Sequence, residues 1–273
     1  MPEDLAAAIP PIRRARGYRL YDHRGGRYLD LWQNGGHSLL GHRGLHLMSL
    51  LKNLLSRGLL GDLPGVQGRH LEKALSSRLP GYAYVRLTRG GREALALASL
   101  FLGRPVAEEE VFDPALEPQE RRAQVARWRP LLDFPPQGPG GPRVLLPVLP
   151  FAAAGAPAAV CFDAEPPAGF PASQALSPVL LAGAARCLYD LARYRLPEWH
   201  RADLLAGAPG WEQRGIYLCA RCAPERYPAV FRAFLAAGVL LNPRYPGPSL
   251  LPAEASPGEL AKMIQLFREN PGE

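Results

Sequence analysis

Alternation of apolar and polar residues opens the chain and predicts a β-hairpin. Residues 18–22 and 27–32 each alternate in this way, which is the pattern of a strand with one buried face. The segment 22–26 between them ends in two glycines and has the composition of a tight turn. The N-terminal part is therefore expected to start as a small antiparallel unit that leads into a glycine-rich loop at 34–36.

Apolar residues at helical spacing follow this loop. Residues 45–60 carry leucines and Met48 on one broad face, and residues 67–78 repeat the pattern before Pro80 and Gly81. We therefore predict two consecutive helices in this stretch.

A strand, a glycine turn and a helix come next, and their order has chemical consequences. Residues 82–87 predict a strand, 88–92 a turn and 93–102 a helix. This arrangement leaves free backbone N–H groups at a helix N-terminus, where a phosphate or carboxylate binds readily. The alternative is a tight connection that uses glycine for its backbone freedom.

The middle of the chain shows no clear periodicity. Between residues 104 and 142 it carries an acidic run at 108–110 and an arginine-rich segment whose composition favours a helix. The tract 135–142 consists of proline and glycine apart from Gln137, and it predicts an exposed loop. Residues 144–162 carry no charge, but their prolines favour buried strands separated by turns over a membrane span.

The C-terminal part alternates helices and strands. Residues 177–194 predict a helix that Ser177 and Pro178 begin. Strands are then predicted at 216–220 and 239–241, and helices at 228–237 and 257–268. This alternation is typical of an α/β protein with a compact terminal unit.

Arginine supplies nearly all of the positive charge. The 273 residues include 32 basic and 25 acidic side chains, for a net charge of +7. The lysines are Lys52, Lys73 and Lys262. The arginines are scattered, without an aromatic-interleaved cluster or a nucleic-acid-binding motif, so we expect no nucleic-acid partner and attribute the bias to codon usage.

Cysteines and histidines do not form a recognisable redox or metal motif. The cysteines are Cys161, Cys187, Cys219 and Cys222. The pair at 219 and 222 lacks both a thioredoxin-like context and a second ligand pair. His37, His42 and His46 lack a fourth ligand. The beginning of the chain lacks the features of a signal peptide, so we expect ordinary thiols, no bound metal and a cytoplasmic protein.

The N-terminal region resembles that of the class III aminotransferases, which use pyridoxal phosphate (PLP). It reads R-G-Y-R-L-Y-D-H-R-G-G-R-Y-L-D-L-W and then L-L-G-H-R, where the family has a glycine, an aromatic residue before Asp, a second glycine, Tyr-Leu-Asp and Leu-Gly-His. The segment A-G-V-L-L-N-P at 237–243 is similar to the entry of the family's small C-terminal domain. This resemblance implies PLP fold type I and a homodimer.

The turn at 88–92 also resembles the family's phosphate-binding segment, usually Thr-Asn-Ser-Gly-Ser-Glu-Ala. Here L-T-R-G-G-R-E-A keeps the glycine and Glu-Ala but places Gly90 and Arg92 where the family has hydroxyl residues. Ser173 stands where the family has a threonine that reaches a phosphate. The resemblance thus implies a vestigial phosphate or anion site at Gly90, Gly91, Arg92, Glu93 and Ser173.

The absence of a suitable lysine decides the predicted function. The family forms a Schiff base between PLP and a lysine, yet no lysine occurs between Lys73 and Lys262. The chain is also short between residues 103 and 173, where the family carries its remaining catalytic parts. We therefore predict a pseudoenzyme, a scaffold or partner subunit, without catalytic residues or an expected cofactor.

The predicted domains follow from this comparison. We expect an N-terminal hairpin and helix segment at 1–60, a reduced large α/β domain at 61–195 and a small C-terminal α/β domain at 196–273.

A second hypothesis is that the chain is still an enzyme. An enzyme that binds PLP or pyridoxamine phosphate (PMP) without a covalent bond would need another base in the role of the lysine. The candidate is His200, the one histidine that follows His70 in the sequence. The simpler interpretation makes His200 an exposed polar residue.

Overall fold

A computed structural model of the chain describes residues 4–42, 44–117, 123–134 and 140–270. The chain divides into two compact units. The first unit combines Met1–Arg43 with Arg195–Glu273, and the second comprises Gly44–Tyr194. The three predicted domains remain a prediction.

The described residues form eleven β-strands and six α-helices. The strands are β1 (Ile12–Arg16), β2 (Arg19–Asp22), β3 (Arg27–Asp30), β4 (Tyr84–Thr88), β5 (Val125–Trp128), β6 (Val144–Pro147), β7 (Ala158–Phe162), β8 (Trp211–Arg214), β9 (Tyr217–Ala220), β10 (Val239–Leu240) and β11 (Ser249–Leu250). The helices are α1 (Leu45–Ser56), α2 (Val66–Arg78), α3 (Gly91–Leu102), α4 (Pro178–Arg193), α5 (Tyr227–Ala236) and α6 (Pro257–Glu269). Short 3-10 helices lie at Leu5–Ala8, Gln33–Gly36, Glu108–Glu110 and Glu198–Arg201. No helix of the described segments is long and apolar enough to cross a bilayer.

The predicted hairpin is confirmed in the first unit. Strands β2 and β3 pair antiparallel, and their turn is organised by Asp22, whose Oδ1 accepts hydrogen bonds from the N–H groups of Arg24 at 2.8 Å and Gly26 at 2.7 Å. The complete sheet has the order β1-β2-β3-β10, in which β10 runs parallel to β3. The C-terminal strand β10 thus joins the sheet that the N-terminal hairpin begins.

Aromatic side chains form the core beneath this unit's C-terminal helices. The ring centroid of Phe267 on α6 lies 4.6 Å from that of Trp211 and 5.0 Å from that of Phe234 on α5. Phe234 and Phe267 are completely buried. Burial of such large rings is the main source of stability for a unit of this size.

One carboxylate joins α6 to the hairpin. Both oxygens of Glu259 accept hydrogen bonds from Arg19, at 2.9 and 2.6 Å, and Oε1 also accepts one from Arg27 at 2.9 Å. Glu259 completes a capping box with Ser256 at the start of α6. Glu259 therefore stabilises the helix and its attachment to β2 and β3.

The second unit has a mixed sheet in the order β4-β7-β6-β5. Strands β4 and β7 pair antiparallel, as do β6 and β7, whereas β5 and β6 run parallel. Helix α3 packs on the sheet and buries Ala98 against Val160 and Phe162. Helix α4 contacts α1 and α2. The predicted pair of buried strands between residues 144 and 162 is confirmed.

The arginine-rich segment differs from its prediction. Residues 118–122 and 135–139 lie outside the described residues, so most of the loop predicted at 135–142 is not described either. The described part, Val125–Trp128, is the strand β5 and not a helix. It pairs with β6 and is almost wholly buried. Pairing with an uncharged strand decides its conformation, because local propensity yields to burial.

The Glu259 cluster gives a test of stability against pH. The hydrogen bonds from Arg19 lower the pKa of Glu259 to about 2, well below the usual range of a glutamate. A carboxyl group whose pKa falls on folding stabilises the protein fully above its unfolded pKa and loses this contribution as pH falls through its folded pKa. Glu259→Gln should lower the free energy of unfolding at neutral pH by about 1–2 kcal/mol, measured by urea denaturation.

The difference between the variant and the parent protein should shrink as the pH is lowered from about 5 towards 2. Glu225 is exposed and serves as the matched control, since Glu225→Gln should leave the unfolding midpoint unchanged. A Glu259→Gln variant as stable as the parent protein at neutral pH would contradict the role of this cluster.

Candidate functional site

The predicted strand, glycine turn and helix are confirmed in the second unit. Strand β4 ends at Thr88, whose hydroxyl donates a hydrogen bond to the carbonyl of Gly90 at 3.0 Å. Gly90 is the N-cap of α3 and lies in extended backbone, with φ −166°. Any residue adopts that conformation, so backbone freedom alone does not explain the glycine.

The start of α3 is open to solvent. Gly91, Arg92 and Glu93 are all exposed, and the first N–H groups of a helix have no partner within it. Glu93 lies in the first turn, and its Oε2 is 3.2 Å from the place where a Cβ on Gly90 would lie. The helix thus supplies its own carboxylate near its positive end, which reduces the attraction for an external anion.

The structure brings Ser173 to the side of this turn. The N–H of Leu87 donates to the Ser173 hydroxyl at 3.0 Å, and that hydroxyl donates to Oε1 of Glu72 on α2 at 2.6 Å. The next residue, Gln174, accepts a hydrogen bond from the N–H of Arg89 through its Oε1 at 2.9 Å. The segment at 173–174 therefore runs beside the end of β4.

Sequence reasoning missed Glu72 and Gln174. Both are ordinary polar residues in their local context, and no spacing rule connects Glu72 with a serine 101 residues away. Together with Ser173 and the turn at Gly90 they define the candidate site, a shallow polar surface at the carboxyl end of β4.

All three lysines lie on helix surfaces. Lys52 is on α1, Lys73 on α2 and Lys262 on α6, and each is exposed. A closed site protects a Schiff base from hydrolysis. None of these three side chains is enclosed by the protein.

The residues of the candidate site do not fit PLP. Gly90 and Arg92 offer no hydroxyl, and the proton of the Ser173 hydroxyl already goes to Glu72. A carboxylate in that position repels a phosphate dianion. Asp163, which follows β7, is exposed and pairs with Arg143 at 3.5 Å, so it is not held in a closed pocket.

His200 is buried in the first unit, which corrects the expectation of an exposed residue. It is 4% exposed, and its Nε2 lies 2.9 Å from the carbonyl oxygen of Pro252. Its Nδ1 has no hydrogen-bond partner among the described residues. Burial lowers the pKa of His200, which favours the neutral form of the ring. Trp199, against which it packs edge-on, explains the burial.

The cysteines and acidic residues add no further chemistry. All four cysteines are buried and reduced, and burial raises the pKa of Cys161 and Cys187, which makes both thiols unreactive. Across the described segments, no group of three or more His, Cys, Asp or Glu side chains could hold a metal ion.

Comparison with known sequences identifies one relative along nearly the whole chain. An uncharacterized protein of Treponema pallidum (strain Nichols) is 30% identical over 291 residues, with 88% of each chain covered. The glutamate-1-semialdehyde 2,1-aminomutase of Desulforamulus reducens is 33% identical over 95 residues, which span 35% of this chain but 22% of that enzyme. No family model matches the chain.

Comparison with solved structures identifies the fold. An omega-transaminase from Sphaerobacter thermophilus superimposes with a TM-score of 0.66 at 15% identity, covering 96% of this chain and 90% of the transaminase. A glutamate-1-semialdehyde aminomutase from Pseudomonas aeruginosa PAO1 in complex with PMP gives a TM-score of 0.63 at 16% identity, covering 94% and 86% of the two chains. The chain therefore belongs to the family of the Treponema pallidum protein, and it has the fold of the class III PLP aminotransferases.

Proposed function

We propose that this chain is an aminotransferase-like pseudoenzyme, which has lost transamination and serves as a cytoplasmic dimeric scaffold or partner subunit. The observation that carries this proposal is the position of its lysines. Lys52, Lys73 and Lys262 are exposed on three helices, so none lies in a closed pocket where an internal Schiff base could form.

The candidate site supports the same conclusion. Ser173 links Leu87 of β4 to Glu72 of α2 through its hydroxyl, which is a structural use of the group. In this arrangement a phosphate would have to displace a charged hydrogen bond and approach a carboxylate. A small anion at Gly91 and Arg92 is compatible with the exposed turn and is a weaker candidate for the function.

The segment between residues 103 and 173, where the resemblance places the family's catalytic parts, also supports loss of catalysis. Its described residues include Asp113, whose carboxylate accepts hydrogen bonds from the Arg129 guanidinium at 3.0 and 3.2 Å. Asp113 is 5% exposed and Arg129 7% exposed. A buried pair of this kind is costly to break, and it commits two of the region's charged groups to the fold.

The dimer of the proposal is supported by an apolar surface on the second unit. Five large apolar side chains there are between 39% and 64% exposed. They are Met48, Leu55, Leu60, Leu63 and Val66. Met48 and Leu55 are seven residues apart on α1 and share one face of the helix. The five side chains lie within 19 residues of the sequence, and contiguous exposed apolar groups mark interfaces.

The alternative is non-covalent use of PLP or PMP, with His200 as the base. It gains no support from the contacts of His200, which is 4% exposed. The Nε2 of His200 is also engaged by Pro252. We propose no nucleic-acid or membrane partner for this function.

Titration with PLP tests whether the chain has lost the ability to bind PLP and to form a Schiff base with it. We expect neither an internal Schiff-base band in the visible spectrum nor a stabilisation that grows with ligand concentration. Borohydride reduction followed by peptide mass spectrometry should find no stoichiometric label. The control is a variant in which Lys52, Lys73 and Lys262 are all arginine, which removes slow labelling of exposed amines. A single lysine labelled at substoichiometric PLP would contradict the proposal, and a saturable spectral shift without labelling would favour the non-covalent enzyme.

The structural role of Ser173 is tested by its removal. Ser173→Ala leaves the N–H of Leu87 without its acceptor, and we expect the free energy of unfolding to fall by about 1–3 kcal/mol. Ser77→Ala, on the exposed side of α2, should have no measurable effect. An unchanged denaturation midpoint for Ser173→Ala would free the hydroxyl for a ligand and weaken the proposal.

Charge on the apolar surface tests the dimer. Leu55→Lys together with Leu63→Lys should shift the protein from dimer to monomer in sedimentation velocity, because two charges would be buried in the interface. Leu100 on α3 is 59% exposed, and Leu100→Lys should leave the dimer intact. A monomeric parent protein, or a double variant that still dimerises, would refute this interface.

A further inference from the structure

Strand β1 leaves one edge of its sheet open. In the order β1-β2-β3-β10 it pairs with β2 on one side. Within the described part of the chain, its outer backbone groups make no hydrogen bond to any other segment. An exposed edge of this kind is a template for an additional strand.

The side chains of this edge are strongly basic. β1 reads I-R-R-A-R, and Arg13, Arg14 and Arg16 are all exposed. None of these three arginines forms an ion pair with a described residue. Their charge is therefore available to a partner. The carboxylate of Glu259, in the same unit, is already held by Arg19 and Arg27.

The register defines which arginines share a face. Arg14 lies opposite Tyr21 in β2, and its guanidinium carbon is 5.6 Å from the centre of the Tyr21 ring. Arg16 follows two residues later and projects from the same side of the strand. Ala15, between them, is half-buried and lies opposite the buried Leu20.

The open backbone edge and the basic side chains of β1 together indicate what kind of peptide could bind there. An added strand would place every second side chain on the face of Arg14 and Arg16, and the others on the face of Ala15. Carboxylates suit the first face, because opposite charges on neighbouring strands attract, and a small apolar group suits the second face beside Ala15. A nucleic acid would use the charge but not the unpaired backbone edge.

We propose that β1 binds an extended acidic segment of a partner protein by strand addition, with carboxylates at alternate positions facing Arg14 and Arg16. The interaction is independent of any cofactor. It gives a scaffold a defined docking surface on its first unit.

A short peptide tests this proposal. Fluorescently labelled Glu-Val-Glu-Val-Glu should bind the full chain saturably in low salt, as measured by anisotropy. The double variant Arg14→Gln, Arg16→Gln should bind about tenfold more weakly, because two cross-strand charge pairs are lost. Arg57 and Arg69 are exposed arginines of the second unit, and the double variant Arg57→Gln, Arg69→Gln has the same net charge and should bind like the parent protein.

A second peptide separates strand addition from simple attraction between charges. N-methylation of alternate peptide groups removes the donors needed for pairing and keeps every carboxylate, so binding should be lost. Equal binding of the methylated peptide would overturn strand addition. Absence of binding by either peptide would also overturn it and leave the arginines as a guard against edge-to-edge association. Tighter binding of a thymidine oligonucleotide than of the peptide would assign the surface to nucleic acid instead. Thermal unfolding of both double variants verifies that they fold.

Discussion

The hydrogen bonds of the Ser173 hydroxyl hold together the part of the molecule where a cofactor would be expected. This hydroxyl accepts from the N–H of Leu87 and donates to Glu72, so it connects strand β4, helix α2 and the segment before α4. The same segment contacts the glycine turn at the end of β4, where Gln174 accepts a hydrogen bond from the N–H of Arg89. Because the hydroxyl has one proton to donate, its donation to Glu72 leaves none for a phosphate.

Elsewhere in the described residues, several charged groups are likewise either exposed or paired with each other. Three lysines remain, all on helix surfaces, while the buried charged groups Asp113 and Arg129 satisfy each other. The fold of the class III aminotransferases persists at 15% identity, since apolar patterning and turn residues suffice to specify it. A fold does not by itself imply an activity, and the scaffold role proposed for this chain rests on the chemistry of its own residues.

Local patterns predicted most helices and strands, but they could not predict conformations that depend on contacts between distant segments. The hairpin β2–β3 and the helix α4 follow from alternation, turn residues and helical spacing that neighbouring residues make visible. The helix predicted for the arginine-rich segment was wrong at Val125–Trp128, which forms strand β5. This segment is short and buried on both faces. Its conformation depends on pairing with β6, which no local pattern records.

The candidate site shows the same limit. The order of strand, glycines and helix predicted the turn at Gly90, and resemblance drew attention to Ser173, but Glu72 was missed, as its bond to Ser173 spans 101 residues. His200 was expected at the surface, and its burial depends on Trp199 and on the carbonyl of Pro252. Polar residues in irregular segments carry no periodic signal of burial, so only the fold reveals their role.

Native mass spectrometry of protein produced with excess pyridoxine shows whether the chain retains PLP. A dimeric pseudoenzyme should appear as two unmodified 29.7 kDa chains, without added mass from PLP before or after mild reduction. One PLP retained per subunit, and fixed by reduction to a single lysine, would contradict it.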